Sequence, residues 1–292
     1  MKDVRTIAVL GAGTMGHGIA HASAASGFDT RLFDVNEAAL AKARDQIASV
    51  FRKTVELGKG TAADADASLT RLVTTSDIAE AVQDCDLIIE AAPERMDLKL
   101  RLMADVDRLA PADAVVATNT SALSITEMAG SIRNPARVAG MHFFNPVHKM
   151  KLIEIVRALE SSAATLETIE SVSRRMGKET VVVRESPGFI TSRVNASIGN
   201  EAFYMLMEGV ASARDIDKAL KLGLNHPMGP FEMVDLVGLD VRLSILEFLQ
   251  RSLGEAYRPN QILIQHVRAG RLGRKVGRGV YDYDENGQRI KK

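Results

Sequence analysis

Residues 137–156, RVAGMHFFNPVHKMKLIEIV, place two ionisable side chains inside apolar runs. His142 lies within the first run, and Glu154 interrupts the second. Burying either group costs free energy unless it has a partner, so we expect the imidazole and the carboxylate to pair. A carboxylate beside an imidazole fixes its tautomer and favours its charged form, as a base that accepts an alcohol proton requires. A lone structural histidine in the core is the alternative.

Two strands have to position this pair. Residues 138–142 and 150–156 have the apolar composition of strands, and Asn145-Pro146 breaks the chain between them. A short connection between two strands can bring His142 and Glu154 side by side, although their separation of 154 − 142 = 12 residues does not establish it alone.

A glycine-rich loop near the start of the chain indicates a second kind of chemistry. Residues 7–10, IAVL, suit a buried parallel strand, and a helical pattern follows over residues 14–26. In a G-x-G-x-x-G loop the first glycine permits a tight turn, the second lets the backbone approach a pyrophosphate, and the third lets the helix pack on the strand. The loop consists of Gly11, Ala12, Gly13, Thr14, Met15 and Gly16.

The next strand, over residues 28–33, ends at an acid. Asp34 lies 34 − 16 = 18 residues beyond Gly16, close to the roughly 20 expected for a residue that binds the adenosine ribose. The helix after the loop presents N–H groups and its positive dipole end to phosphates. Because a carboxylate repels a 2′-phosphate, we expect the cofactor to be NAD in preference to NADP.

The rest of the chain alternates between strands and helices before it becomes wholly helical. Such alternation predicts an α/β fold with a doubly wound parallel sheet of Rossmann type, followed from Ser186 by an all-helical domain. We place the domains at residues 1–185 and 186–292. Further strands are expected at 72–74, 86–90, 114–118 and 180–183, and C-terminal helices at 188–208, 212–222, 230–237, 239–253 and 260–269, the first of them capped by Ser186.

In a doubly wound sheet, ligands bind beyond the carboxyl ends of the strands. Glu94 follows the fourth predicted strand and Ser121 follows the fifth, so both are candidates for contact with a ligand. Each also has a structural interpretation: Glu94 as an acid in the first turn of the next helix, and Ser121 as a helix cap.

Several basic residues leave two interpretations open. Arg52 and Lys53 lie on a helix predicted from Asn36 to about Leu57, where they form either a solvated face or a landing surface for a phosphate-bearing ligand. Residues 60–68 are expected to be a loop or a weak helical turn. The glycine- and cation-rich residues 273–281 are either a surface tail or a segment from which Lys275 reaches a cofactor.

The overall composition excludes some classes of partner. The 292 residues contain 37 Lys plus Arg and 37 Asp plus Glu, so no net basic field recruits nucleic acid. No apolar stretch approaches the roughly 18 residues of a membrane span. The single cysteine, Cys85, fits a reducing compartment, and we expect a cytoplasmic protein. His17 and His21 are four residues apart, but a third ligand is missing from the pattern, so no metal is expected.

Six segments, in order, resemble the L-3-hydroxyacyl-CoA dehydrogenase family, including short-chain 3-hydroxybutyryl-CoA dehydrogenases, over nearly the whole chain. They are GAGTMG, IIEAAPE, TNTSAL, GMHFFNPVHKMKLIEIV, SPGFI and KLGLNHPMGPFEMVDLVGLD. The resemblance implies reversible NAD-dependent oxidation of an L-3-hydroxyacyl-CoA to its 3-oxo form, and a homodimer formed through the helical domain.

The resemblance also implies roles for individual residues. His142 would be the general base and Glu154 its orienting partner, while Ser121 and Asn145 would contact the substrate oxygen and the nicotinamide. The residues at positions where the family holds NAD are Asp34, Glu94, Lys99 and Lys275.

One position departs from the family pattern. Ser192, before Arg193, stands where the family has asparagine. Serine can still donate one hydrogen bond, but it is shorter and lacks the amide carbonyl, so the contact passes through water or to Asn195. The acyl chain-length preference therefore does not transfer directly. A dehydrogenase of another 3-hydroxy acid, such as a sugar acid, and a non-catalytic NAD-binding protein remain alternative hypotheses.

Overall fold

A computed structural model describes residues 2–290 of the chain. The chain forms two compact units, Met1–Glu185 and Ser186–Lys292. Within residues 2–290 no helix has the length and apolar composition needed to span a bilayer.

The first unit is built on an eight-stranded sheet with the order β3-β2-β1-β4-β5-β6-β7-β8. All neighbouring strands run parallel except β6 and β7, which are antiparallel. The order reverses between β1 and β4, which opens a crevice at the carboxyl ends of these strands. The strands are β1 Thr6–Leu10, β2 Asp29–Phe33, β3 Leu72–Thr75, β4 Leu87–Glu90, β5 Val115–Thr118, β6 Val138–Phe143, β7 Leu152–Arg157 and β8 Glu179–Arg184.

Helices cover the sheet, so that β4, β5 and β6 are buried along their whole length. This burial explains why these strands are continuous apolar runs and do not alternate. The helices are α1 Thr14–Ala25, α2 Glu37–Glu56, α3 Ala62–Thr70, α4 Ile78–Val82, α5 Met96–Leu109, α6 Ile125–Ala129 and α7 Ala163–Arg175, with a short 3₁₀ turn at Pro135–Arg137. The predicted α/β fold class is confirmed.

One expectation for this unit was wrong. Residues 60–68 are largely part of α3, where a loop or weak turn was expected. The Thr61 hydroxyl accepts a hydrogen bond from the Asp64 N–H at 3.1 Å and donates to the Asp64 carboxylate at 2.6 Å. This reciprocal cap stabilises the first turn of the helix.

The second unit is helical around a core that includes Phe203, Phe231 and Leu246. Its first helix begins later than expected, because residues 187–190 form a turn in which the Phe189 N–H donates to the Ser186 carbonyl at 2.9 Å. Ser186 is therefore not a helix cap. The helices are α8 Thr191–Met207, α9 Ala213–Gly223, α10 Pro230–Val237, α11 Leu239–Leu253 and α12 Gln261–Arg268, with 3₁₀ turns at Glu255–Tyr257 and Arg274–Val276.

The segment after α12 packs against α10 and is not a loose surface tail. The Asp235 carboxylate accepts hydrogen bonds from the Val280 and Tyr281 N–H groups at 2.8 and 2.9 Å and from the Tyr283 hydroxyl at 2.8 Å. A Cβ at Gly279 would lie 2.0 Å from Asp235 Oδ1, so this close approach requires glycine.

Candidate active site

In the loop after β1, two of the three glycines of the motif face close protein atoms, and the third faces open space. Gly11 has φ +111°, and a Cβ there would lie 2.7 Å from the Ala91 carbonyl oxygen. A Cβ at Gly16 would lie 1.6 Å from the Gly11 carbonyl oxygen. By contrast, a Cβ at Gly13 would meet no atom within 4 Å. Gly11 and Gly16 are therefore needed by the protein itself, whereas Gly13 keeps clear a space that a ligand can fill.

The surroundings of this loop fit a dinucleotide. Helix α1 begins after Gly13 with no side-chain cap and no acid in its first turn, so its N–H groups favour an anion. Asp34 follows β2 and is anchored to the loop: its carboxylate accepts the Ala12 N–H at 2.8 Å and the Asn36 N–H at 3.0 Å. N–H groups that can bind a phosphate thus lie close to a carboxylate in a fixed position, as binding of a pyrophosphate and an adenosine ribose requires.

The expected pairing of imidazole and carboxylate is present in the hairpin of β6 and β7. His142 lies directly opposite Glu154 in the antiparallel register, and His142 Nδ1 is 2.7 Å from Glu154 Oε2. Opposed residues of an antiparallel pair share one face of the sheet. Only 6% of His142 and 0% of Glu154 is exposed, so the pair is shielded from water.

Glu94 and Ser121, which were predicted to lie at the crevice, contact each other. Glu94 Oε1 accepts the Ser121 N–H at 2.9 Å, the Ser121 hydroxyl at 3.3 Å and the Thr120 hydroxyl at 2.6 Å. Both structural interpretations of these residues fail: α5 begins after Glu94, with Asp97 as its first-turn acid, and the cap of α6 is Ser124. The loops after β4 and β5 are thereby joined at the crevice.

Glu94 contacts a buried ion pair between Lys99 and Glu90, of which the sequence analysis had identified only Lys99. The Lys99 ammonium donates to both carboxylate oxygens of Glu90 at 2.8 Å and lies 3.3 Å from Glu94 Oε2. Lys99 and Glu90 are each only 1% exposed. Glu90 also accepts the Ala92 N–H at 2.6 Å and the Thr118 hydroxyl. An acid at the end of the apolar run LIIE was the signal available for Glu90.

Asn119 is a second residue that sequence reasoning did not single out. Its side-chain carbonyl accepts the Phe143 N–H at 2.8 Å. Since Phe143 follows His142 in β6, this bond links the loop after β5 to the strand that carries the imidazole. Asn145 lies three residues beyond His142, exposed in the β6–β7 connection.

The remaining candidates of the first unit lie on its helices. Arg52 and Lys53 are exposed on α2. His17 Nδ1 is 2.9 Å from the Gly13 carbonyl oxygen, while His21 is buried against Phe51 with ring centroids 4.4 Å apart. Within residues 2–290 no cluster of three or more His, Cys, Asp and Glu side chains could hold a metal ion.

Two candidates belong to the helical unit. Ser192 is half-buried in the first turn of α8. The Lys275 ammonium lies 2.7 and 2.6 Å from the two carboxylate oxygens of Asp240. This pair is partly exposed, with 46% of the Lys275 side chain and 38% of the Asp240 side chain accessible.

Comparison with known proteins identifies relatives over the full length. Residues 6–186 match the family 3-hydroxyacyl-CoA dehydrogenase, NAD binding domain, and residues 188–283 match the 3-hydroxyacyl-CoA dehydrogenase C-terminal domain. A probable 3-hydroxybutyryl-CoA dehydrogenase of Bacillus subtilis is 43% identical over 97% of this chain and 99% of its own. The 3-hydroxyadipyl-CoA dehydrogenase of Escherichia coli is 41% identical over 97% of this chain and 60% of its own.

A solved structure agrees. The crystal structure of (S)-3-hydroxybutyryl-CoA dehydrogenase from Ralstonia eutropha has a TM-score of 0.94 and 39% identity, covering 97% of this chain and 100% of that one. The protein therefore belongs to the 3-hydroxyacyl-CoA dehydrogenase family, and it is an NAD-dependent oxidoreductase whose N-terminal unit is the NAD binding domain.

Proposed function

We propose that this dehydrogenase acts on short-chain L-3-hydroxyacyl-CoA thioesters, with 3-hydroxybutyryl-CoA as the representative substrate, and that His142 is its general base. The observation that carries the proposal is the buried 2.7 Å contact between His142 and Glu154, in the same sheet as the dinucleotide loop. The names of the B. subtilis and R. eutropha relatives support a four-carbon acyl group. The E. coli relative, of similar identity, is named for a longer diacid, so chain length has to be measured.

The pair has the geometry that a base needs. In the tautomer that donates its Nδ1–H to Glu154, the neutral imidazole carries its lone pair on Nε2, the atom that takes the proton of the substrate hydroxyl. As that proton arrives, the carboxylate stabilises the imidazolium. NAD, which the Gly11–Gly16 loop, Asp34 and Glu94 would hold, would supply the hydride acceptor, so that loss of the C3 hydride and of the hydroxyl proton would leave a ketone.

Other residues hold the reactants. The Gly11–Gly16 loop and the start of α1 bind the pyrophosphate, Asp34 binds the adenosine ribose, and Glu94 binds the ribose next to the nicotinamide. Ser121 and Asn145 contact the substrate oxygen and the nicotinamide. Ser192 replaces the family's asparagine near the substrate. The family pattern also assigns Lys275 and the buried Lys99 to the cofactor site.

Two basic residues outside the crevice contribute to substrate binding, and the helical unit forms the subunit interface. Arg52 and Lys53, both exposed on α2, attract the phosphates of the CoA moiety. The helical unit, Ser186–Lys292, forms a homodimer, and the enzyme works in the cytoplasm.

The test is a chain-length series of L-3-hydroxyacyl-CoA substrates from C4 upward, followed by NADH absorbance. We expect the highest kcat/KM at the short end and little turnover of the matching free 3-hydroxy acids. Higher turnover of free acids, sugar acids included, would favour a sister dehydrogenase. Absence of turnover with every substrate would favour a non-catalytic NAD-binding protein.

The base is tested by His142→Gln. Turnover should fall roughly 10²–10⁴-fold, the usual contribution of a general base, with NAD affinity kept. His266→Gln is the matched control, because His266 lies on α12 with Nδ1 bonded to the Ile262 carbonyl. A His142→Gln enzyme with turnover close to that of this control would remove the assignment.

A further inference from the structure

The family pattern places Lys99 among the cofactor contacts, but its ammonium is enclosed by protein. Only 1% of Lys99 is exposed. The ammonium lies within 2.8 Å of both Glu90 oxygens, 3.3 Å of the Ala92 carbonyl oxygen and 3.3 Å of Glu94 Oε2. The two Glu90 oxygens and the Ala92 carbonyl accept hydrogen bonds from the ammonium, which matches its three N–H donors, and Glu94 Oε2 adds an ion-pair contact.

Glu94, in contrast, is accessible, since 40% of its side chain is exposed. Its two carboxylate oxygens are divided between two tasks. Oε2 faces the Lys99 ammonium, and Oε1 accepts the Ser121 N–H and the Thr120 hydroxyl. The orientation of the Glu94 carboxylate is thus fixed at Oε2 by the Lys99 ammonium and at Oε1 by the loop after β5.

Glu90 anchors the arrangement. It is the last residue of β4, it accepts the Ala92 N–H of its own loop and it accepts the Thr118 hydroxyl at the end of β5. A buried carboxylate with these bonds holds the ammonium at a fixed point, because both groups would be costly to leave unpaired.

We infer that Lys99 does not contact the cofactor but is a positioning residue, anchored by Glu90, that holds the Glu94 carboxylate in the orientation needed for the ribose next to the nicotinamide. The inference rests on the proposed role of Glu94 in cofactor binding. It assigns to Glu90 a part in the site that the sequence did not suggest.

A double-mutant cycle separates direct contact from positioning. NAD dissociation constants are measured calorimetrically for Glu94→Gln, Lys99→Met and the double variant, with KM for NAD and kcat at saturation. Each single change should weaken NAD binding about ten- to hundredfold, by analogy with residues that orient the ligands of a metal ion. If Lys99 acts through Glu94, the double variant binds NAD no more weakly than Glu94→Gln alone. If the losses of affinity in the two single variants instead multiply in the double variant, the inference is overturned and Lys99 is a direct contact.

A second pair of variants excludes a purely structural role. Removing both buried charges in Glu90→Gln/Lys99→Met avoids an unpaired buried ion, so thermal stability should recover relative to either single variant. NAD affinity should nevertheless remain lowered, because Glu94 is still unsupported. Recovery of both properties would show that the ion pair only stabilises the fold.

The control is Arg101→Met on the same helix, where the arginine side chain is 71% exposed; NAD binding and KM should be unchanged. Binding is measured without substrate, so absence of acyl-CoA turnover in the native enzyme would refute the proposed activity and leave the cycle readable. Unchanged NAD affinity in Glu94→Gln would refute the cofactor role of Glu94, and the inference with it.

Discussion

Both units bury carboxylates, but the partners of these carboxylates differ. In the helical unit, Asp235 accepts only backbone N–H groups and a tyrosine hydroxyl among its hydrogen bonds. Asp217 does the same, with the Phe231 and Glu232 N–H groups and the Tyr281 hydroxyl. In the sheet unit, Glu154 has an imidazole among its partners, and Glu90 accepts from an ammonium in addition to the Ala92 N–H and the Thr118 hydroxyl.

The difference distinguishes buried carboxylates that stabilise the fold from buried carboxylates of the candidate site. Neutral donors satisfy a buried carboxylate but do not exchange protons with it near neutral pH, and burial raises the pKa of both Asp217 and Asp235. These two acids fasten the C-terminal segment and the start of α10. An imidazole partner can accept and release a proton. A buried acid therefore indicates chemistry when its partner titrates and lies near a ligand crevice.

The largest expected effect tests the structural side of this comparison. Asp235→Ala leaves two backbone N–H groups and the Tyr283 hydroxyl without their acceptor. We expect the free energy of unfolding to fall by about 3 kcal/mol or more, since each hydrogen bond to a charged group contributes about 1.5–3 kcal/mol. Urea unfolding measures it, with Glu247→Ala, an exposed acid of α11, as the control. Equal losses in the two variants would contradict the role given to Asp235.

His21 offers a buried titrating group without a carboxylate partner. Burial, followed by the charges of His148, His17 and Lys178, lowers the pKa of His21 to about 4 from 6.5. The unfolded chain therefore binds the proton first, and stability that is complete above pH 6.5 is lost as the pH falls towards 4. The loss is about 1.4 kcal/mol per pH unit, on the order of 3 kcal/mol in total.

His21→Gln should flatten this part of the stability profile, measured by urea unfolding from pH 4 to 7. Asp217 and Asp235 work with the opposite sign, because a raised carboxyl pKa contributes stability that is lost as the pH rises through it. The difference between native and variant profiles isolates His21. An unchanged slope would show that this histidine is protonated in the folded state.

Glu154→Gln sharpens the chemical side. The amide oxygen can still accept the Nδ1–H, so the hairpin should stay folded, but the imidazolium loses its counter-charge. We expect kcat to fall roughly 10–100-fold, by analogy with carboxylates that orient a metal-bound histidine, with NAD affinity unchanged. Glu170→Gln, on the outer helix α7, is the control. A fall in stability without a fall in kcat would place Glu154 among the structural acids.

The smallest effect separates ligand space from fold within one loop. Gly13→Ala adds a Cβ that meets no protein atom within 4 Å, so stability should hold while NAD binding weakens about tenfold, or 1.4 kcal/mol. Gly16→Ala should instead destabilise the unit, because its Cβ would overlap the Gly11 carbonyl. Calorimetric NAD titration and thermal melts of both variants make the comparison, and native NAD affinity in Gly13→Ala would contradict it.

Sequence patterns predicted the strands and the His142–Glu154 pairing because both depend on local signals. Apolar runs bounded by polar residues mark buried strands, and two ionisable groups misplaced in neighbouring runs imply each other. The reversed direction of β7 needed no separate signal, since the short connection after β6 requires an antiparallel return.

Contacts between distant segments could not be predicted in the same way. Glu90 meets Thr118 across 28 residues, and the pattern that placed Glu94 and Ser121 at the crevice did not indicate which side chains bond to each other there. Likewise the pairing of Lys275 with Asp240 joins residues 35 apart. The missed α3 is a different case, because its cap Thr61 with Asp64 and its alanine-rich composition both favour a helix, and it was missed because it buries almost no apolar side chain.

The hairpin of β6 and β7 makes the proposed catalytic pair a contiguous part of the chain. His142 and Glu154 face each other through a register that one short loop sets, so a single exchanged segment, residues 138–157, carries both members into a chimera of two family members. The Glu90 cluster draws on two strands and a helix over the longer stretch from Glu90 to Ser121, so a crossover inside that stretch would split it. Recombination between relatives should therefore preserve the His142–Glu154 pair more readily than the Glu90 cluster that supports nucleotide binding.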